Sequence, residues 1–259
     1  MIRSLFLPEE GEKWAAIDYS QQEPRILVHY AYIYGNSRGI PLKGIDEFVH
    51  GYRHDSSMDF HTMVAEMAKI PRKQAKTINL GLIYGMGVKK MSEQLDISLD
   101  EAKDIVAQYN DRVPFVRGLM TGVQNRLNEQ GGKGSIRSLL GRKCRFDLWE
   151  PDSFKMNKAL PYSEAVLEYG PTTKLKRAYS YKALNRLIQA SAADMTKKAM
   201  VDIYKTGRLP LIQIHDEIAM SVKDEKEAKT IAEIMENAVD LEIPSKCDVE
   251  IGPDWGTAQ

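Results

Sequence analysis

Twelve residues, Leu211 to Val222, constrain this 259-residue chain more than any other stretch. Leu211-Ile212-Gln213-Ile214 reads as a β-branched strand and Ile218 to Val222 as a second. Between them stand His215, Asp216 and Glu217, with no glycine and no Asn-Gly pair to form an ordinary tight turn. A hairpin with two adjacent carboxylates at its tip concentrates like charge, which a bound cation would neutralise. Aspartate oxygens holding Mg²⁺ or Mn²⁺ are the functional reading of the stretch, and a solvated acidic turn is the plainer one.

A second acidic stretch favours the cation. Lys13 to Ile17 runs as a short buried-type strand into Asp18-Tyr19-Ser20-Gln21-Gln22-Glu23, and a helical pattern follows from Pro24 to Tyr34. If strand and hairpin share one sheet, Asp18 and Asp216 meet across it. Two carboxylates at strand ends can hold two Mg²⁺ about 3.5–4 Å apart, the arrangement that clamps the attacking and leaving oxygens of a phosphoryl transfer.

Composition excludes some classes. The chain is long enough for one large domain or two modest ones, and no apolar run approaches the ~18 residues that span a bilayer. With no signal-peptide pattern and two distant cysteines, Cys144 and Cys247, the expectation is free thiols in a reducing cytoplasm, that of a host cell if the source is viral. The 36 basic and 36 acidic residues cancel, so this is not a simple basic nucleic-acid module. Lys133 to Arg145 and Pro171 to Gln189 are nevertheless basic and free of acids. They suit a phosphate backbone along one side, or ordinary surface.

In chain order, Ile2 to Pro8 is an extended lead-in, and Leu42 to Met58 holds a short helix at best. Helical spacing resumes at Asp59 with Phe60, Met63, Val64 and Met67. Pro71 opens a helix over Arg72–Tyr84, with Gly85-Met86-Gly87 ending it. Arg72, Lys76, Leu80 and Tyr84 form a slowly drifting stripe on it, either a nucleotide rail or the solvent edge of an amphipathic helix. Helices are predicted at Val88–Leu95, at Ser98–Val113 with a capping box from Ser98 to Glu101, and at Phe115–Gln130, closed by Gly131-Gly132. Gly141-Arg142-Lys143 reads as hairpin or loop, and Asp147 to Lys158 as polar loop. Ser180–Lys205 is a long helix carrying Asn185 and Gln189 one turn apart. Glu225–Val239 is a helix, and Cys247–Ile251 a strand of the central sheet.

These pieces resemble family A DNA polymerases, the family of bacterial DNA polymerase I and many bacteriophage replicative enzymes, from Ile2 to about Trp255. Asp18-Tyr19-Ser20-Gln21-Gln22-Glu23-Pro24-Arg25 is similar to that family's motif A, RKQAKTINLGLIYG (Arg72 to Gly85) to motif B, and His215-Asp216-Glu217 to motif C. The resemblance implies an α+β fold: an antiparallel palm sheet with flanking helices from residues 1–45 and 166–259, and helical fingers from 46–165. It implies a DNA-directed DNA polymerase that adds deoxynucleotides to a primer 3′-hydroxyl, with primer–template DNA and dNTPs as partners. Asp18, Asp216 and the Tyr19 backbone carbonyl would bind two Mg²⁺, or Mn²⁺, with Glu217 a weaker ligand. Arg72, Lys76 and His61 would reach the triphosphate; Gln21, Leu80 and Tyr84 would line the nucleotide site. Glu23 would be the steric gate against a 2′-hydroxyl. Arg25, Arg142, Asn185, Gln189 and His215 would contact DNA.

Two departures stand out. Leu80 occupies a position usually aromatic, and Gln22-Glu23-Pro24 replaces the commoner Ile-Glu-Leu, a variant associated with phage-like members. Only seventeen residues precede Asp18, which leads to the expectation of the C-terminal half of a split enzyme whose N-terminal partner carries a thumb, an exonuclease domain, or both. Rival readings are a two-metal nuclease, which would need neither Glu23 nor the Arg72–Tyr84 rail, and a non-catalytic DNA-binding subunit.

Overall fold

The computed structural model describes residues 2–84, 86–128, 134–153 and 157–258. After a 3₁₀ turn at Arg3–Leu5, strand β1 (Lys13–Tyr19) leads into helix α1 (Gln22–Ser37). Helices α2 (Ile45–His54), α3 (Phe60–Ala68), α4 (Arg72–Ile83), α5 (Val88–Leu95), α6 (Leu99–Arg112) and α7 (Pro114–Asn128) follow. A β2–β3 hairpin (Ser135–Arg137, Lys143–Arg145) precedes β4 (Leu148–Pro151), β5 (Leu160–Pro161), α8 (Tyr162–Tyr169) and β6 (Leu175–Arg177). The long helix α9 (Ala183–Lys205) then returns to the β7–β8 hairpin (Ile212–Ile214, Glu217–Val222), α10 (Glu225–Glu236) and β9 (Cys247–Gly252). The class is α+β.

The sheet that matters runs β7-β8-β1-β9, antiparallel throughout. β1 is central because Trp14 to Ile17 are buried; a strand covered on both faces has no room for a polar alternation. Register is set on both sides, with Ile17 opposite Ile218 on one and Val249 on the other. α10 lies against this sheet through Ala228, Ile231, Ala232 and Met235. α9 packs on α1, α7 and α10. Its many alanines let neighbouring helices approach closely, and Ala183, Ala192 and Ala199 are all buried. One apolar core runs from β1 and β8 through α1 and α9 to Phe48, Phe60, Ile78 and Phe115.

Local chemistry sets the helix ends. Asp59 caps α3 by accepting the Thr62 N–H at 2.6 Å, and Ser98 with Glu101 forms a full capping box on α6. Gly35, inside α1, sits where an added Cβ would lie 2.8 Å from Leu42 N and 2.9 Å from Pro41 Cα, so the returning chain crosses the helix at that point.

Several expectations change. Asp147 to Lys158 is not simply loop: β4 forms the centre of a three-stranded sheet, β5-β4-β6. Its partner β6 arrives from 24 or more residues away, and Trp149 is fixed by the Arg177 guanidinium 4.4 Å above its ring and by Tyr162 edge-on at 5.1 Å. A four-residue strand stabilised by such remote contacts carries no local periodicity. The 42–58 stretch holds a ten-residue helix with Ile45, Phe48, Val49 and Tyr52 buried, a helical spacing that the scattered glycine and histidines obscure. Ser180–Lys182 is 3₁₀, and α9 proper starts at Ala183. Gly85, Gly131, Gly132 and Lys133 lie outside the described residues.

Candidate active site

Asp18 and Asp216 come together at one end of the central sheet. Asp18 is the penultimate residue of β1. The β7–β8 turn is only two residues, His215 and Asp216, because Ile214 pairs directly with Glu217. His215 takes φ +52° to close it, a left-handed conformation that costs energy outside glycine. The Gln213 amide steadies the turn by donating to the His215 carbonyl at 2.6 Å. The Tyr19 N–H donates to the Asp216 carbonyl at 3.3 Å, tying the turn to the end of β1.

The two carboxyl groups lie close enough for each to feel the other's charge. Asp18 is exposed at the sheet end, yet partial desolvation there, then the neighbouring acid Asp216, then Glu217 and Asp248, push its carboxyl up to about 7. Asp18 stands opposite both Glu217 and Asp248 in the register, so these three acids form one rung of the sheet. Glu217 belongs to β8 rather than to the turn, and its carboxylate is engaged elsewhere: the Trp255 indole N–H donates to it at 2.7 Å. Among the described residues no three His, Cys, Asp or Glu side chains converge closely enough to hold a metal ion.

Beside the pair opens a cleft of about 540 Å³ lined by Glu23, Gln189, Lys197, Gln213, His215 and Asp216, among others. Tyr84, just past α4, joins one of its lining residues: its hydroxyl donates to Glu23 at 3.0 Å. Burial raises the Glu23 carboxyl and the Tyr84 hydrogen bond lowers it, the former winning. Lys76 is exposed on the same helix and Leu80 half-buried. Asn185, one turn before Gln189 on α9, is also half-buried.

Other predicted site residues are placed differently. Arg25 is 2% exposed, and its three nitrogens donate to the carbonyls of Ser20, Pro244 and Ser56 at 2.8, 2.6 and 2.6 Å. Its guanidinium lies 4.6 Å over Tyr52. It ties motif A to two loops: the side chain is buried, and each of its three nitrogens is engaged by a backbone carbonyl, so it does not stand on a surface that DNA could reach. Gln21, at φ +54°, accepts the Phe60 N–H at 2.8 Å and donates to the Met58 carbonyl at 3.3 Å, so its amide anchors the start of α3. His61 is buried against Asn79, its Nδ1 2.9 Å from the Asn79 amide nitrogen, and burial lowers its pKa. Arg72 is exposed but paired with Asp59 at 2.9 Å. Arg142 bonds Asp194 at 2.8 Å and the Ala190 carbonyl at 2.7 Å, bracing the β2–β3 hairpin on α9. Sequence reasoning missed Trp255, Arg3 and Asp248, whose place at the site follows only from β9 pairing with β1 and from the segments that flank those strands.

A family profile described as DNA polymerase family A matches residues 1–257. A DNA-directed DNA polymerase of Pseudomonas phage M6 is 38% identical over 99% of this chain and 40% of its own length. DNA polymerase I of Bacillus caldotenax is 32% identical over 100% of this chain and 28% of its own, so the chain spans well under half of either relative. The solved POL domain of Pol1 from M. smegmatis, in complex with DNA primer-template and dNTP, superposes with a TM-score of 0.74 at 28% identity, covering 99% of this chain and 42% of that one. Fold, motif order and sequence agree, and the chain belongs to DNA polymerase family A.

Proposed function

We propose that this chain is the catalytic core of a DNA-directed DNA polymerase, adding deoxynucleotides to a primer 3′-hydroxyl under a template. The observation that carries this is the approach of Asp18 to Asp216, which lines a cleft with Glu23 and Gln189, Glu23 being held by Tyr84. The donor set fits Mg²⁺ or Mn²⁺: two carboxylates in contact repel unless a cation lies between them, and Mg²⁺ is characteristically held by one or two carboxylates plus substrate phosphates. Asp18 and Asp216 would hold the ions, with the Tyr19 carbonyl as a further oxygen. Bound there, the metal supplies the positive charge that acidifies the primer hydroxyl and offsets the negative charge of the departing pyrophosphate.

The chain's own residues do the rest. Lys76, exposed on α4, neutralises the triphosphate, and Arg72 joins it from its place beside Asp59. His61, buried against Asn79, supports that wall of the site. Tyr84 and Glu23, joined by their hydrogen bond, form the surface against which the sugar rests. Glu23 leaves no space for a 2′-hydroxyl, and half-buried Leu80 widens the pocket relative to an aromatic ring. Gln189, Asn185 and His215 face the terminal base pair. In this reading residues 1–45 and 166–259 are the palm and 46–165 the fingers.

Primer extension on a primed DNA template with Mg²⁺ and dNTPs tests the proposal. A second arm adds the part of the phage relative that this chain does not match. Extension in either arm, lost by at least about a thousandfold in Asp216→Ala, is expected. Extension in the second arm alone assigns the grip on duplex DNA to a partner segment. Extension that survives Asp216→Ala overturns the proposal.

A further inference from the structure

Glu217 is adjacent in the chain to Asp216 and opposite Asp18 in the sheet, so a third acid stands next to the pair. It does not converge on them, and the reason lies in two segments far from the motif. The Trp255 indole N–H donates to Glu217 Oε1 at 2.7 Å, and Arg3 Nη1 lies 3.9 Å from Oε2. The Glu217 side chain is 18% exposed and Trp255 only 5%. An N–H donor on one oxygen and a guanidinium near the other give this carboxylate a stable position of its own.

The donor is itself firmly seated. Phe6 meets the Trp255 ring edge-on at 5.4 Å, Trp14 lies at 6.3 Å, and the Arg3 guanidinium sits 4.6 Å over it. The Trp255 backbone N–H donates to the Phe6 carbonyl at 3.2 Å. Backbone approaches are close enough to require glycine: a Cβ on Gly256 would lie 2.1 Å from Ser4 Oγ and 2.9 Å from Ser4 N, and one on Gly252 2.8 Å from Ala258 N. The segment before β1 and the segment after β9 therefore lock together, and the product of that lock is a single N–H aimed at Glu217.

We propose that Trp255, aided by Arg3, is a positioning residue that holds the Glu217 carboxylate off the Asp18–Asp216 pair. The cation is then held by two carboxylates rather than three, and its remaining positions stay open for the triphosphate. A released Glu217 would be drawn to that cation, tightening its binding and closing a position the nucleotide needs. The inference rests on reading the Asp18–Asp216 pair as the cation site.

Trp255→Phe keeps an aromatic ring against Phe6 and Trp14 and removes only the donor. Mn²⁺ binding is measured by electron paramagnetic resonance of the free ion in wild type, Trp255→Phe, Glu217→Gln and the double variant, with single-nucleotide incorporation measured alongside. Trp255→Phe is expected to bind Mn²⁺ about fivefold more tightly and to raise KM for dNTP about fivefold or more, with kcat within about twofold. In the Glu217→Gln background the same change should move neither quantity. Unchanged Mn²⁺ affinity in Trp255→Phe, or an equal effect with and without Glu217, overturns the proposal. Should Trp255→Phe fold poorly by thermal melting, Arg3→Met gives the same readout with a smaller shift. Absence of incorporation by wild type both alone and with the added segment of the phage relative defeats the polymerase reading, while the Mn²⁺ titration still decides the role of Trp255. Mn²⁺ binding that is indifferent to Asp18→Asn and Asp216→Asn removes the cation site, and this proposal with it.

Discussion

At the scale of single residues, identity and role separate most clearly at Arg25. Its place in motif A and its charge point to DNA, yet burial with three carbonyl acceptors makes it a strut between β1, the loop before α3 and the loop before β9. Arg25→Met should lower folding stability by about 3 kcal/mol, because three buried carbonyls lose their donors. Denaturant titration checks this, and the midpoint should fall with the slope little changed. A residue that served only the nucleic acid would leave the midpoint where it was. Asp18 and Asp216 show the opposite case. Two acids in contact are a poor structural choice, and that was visible in the sequence as acids at a strand end and at a hairpin tip. What the sequence could not show was their neighbour Asp248, since nothing local links Cys247–Gly252 to the rung that Asp18 occupies.

At the scale of elements, helices set by local spacing or by a capping box were legible residue by residue. Val88–Leu95 and the α6 capping box follow from local rules, and the structure agrees. The β5-β4-β6 sheet was not legible, because its stability comes from Arg177 and Tyr162 packing on Trp149 rather than from alternation. α3 and α4 are joined by a device with a pH signature. Asp59 is raised by burial but lowered more by its bonds to Arg72 and Thr62, and it ends at about 2, below the ordinary 3.8. A depressed carboxyl stabilises the fold above its unfolded pKa, and that contribution is lost as pH falls from about 4 to about 2. Asp59→Asn should therefore cost about 1 kcal/mol at neutral pH and almost nothing near pH 2. Melting curves at both pH values measure the difference. An equal loss at both would show that charge plays no part in the link.

For the molecule as a whole, the chain brings residues two hundred positions apart into one sheet, and the site exists only where they meet. Hydrophobic patterning identified β1, β8 and β9 as strands, while their order and register came from pairing that no local rule encodes. Residues 3–6 and 252–258 close around the far side of Glu217, so the segments before β1 and after β9 bear on the site as directly as the motifs do. The central claim is that Asp18 and Asp216 hold the cation that meets the nucleotide. Anomalous diffraction from crystals grown with Mn²⁺ and a dNTP tests it most directly. A manganese peak between the two carboxylates, with triphosphate oxygens on its open side and α4 along the phosphates, is the expected result. A peak elsewhere, or a triphosphate bound away from the Glu23–Tyr84 cleft, would contradict it.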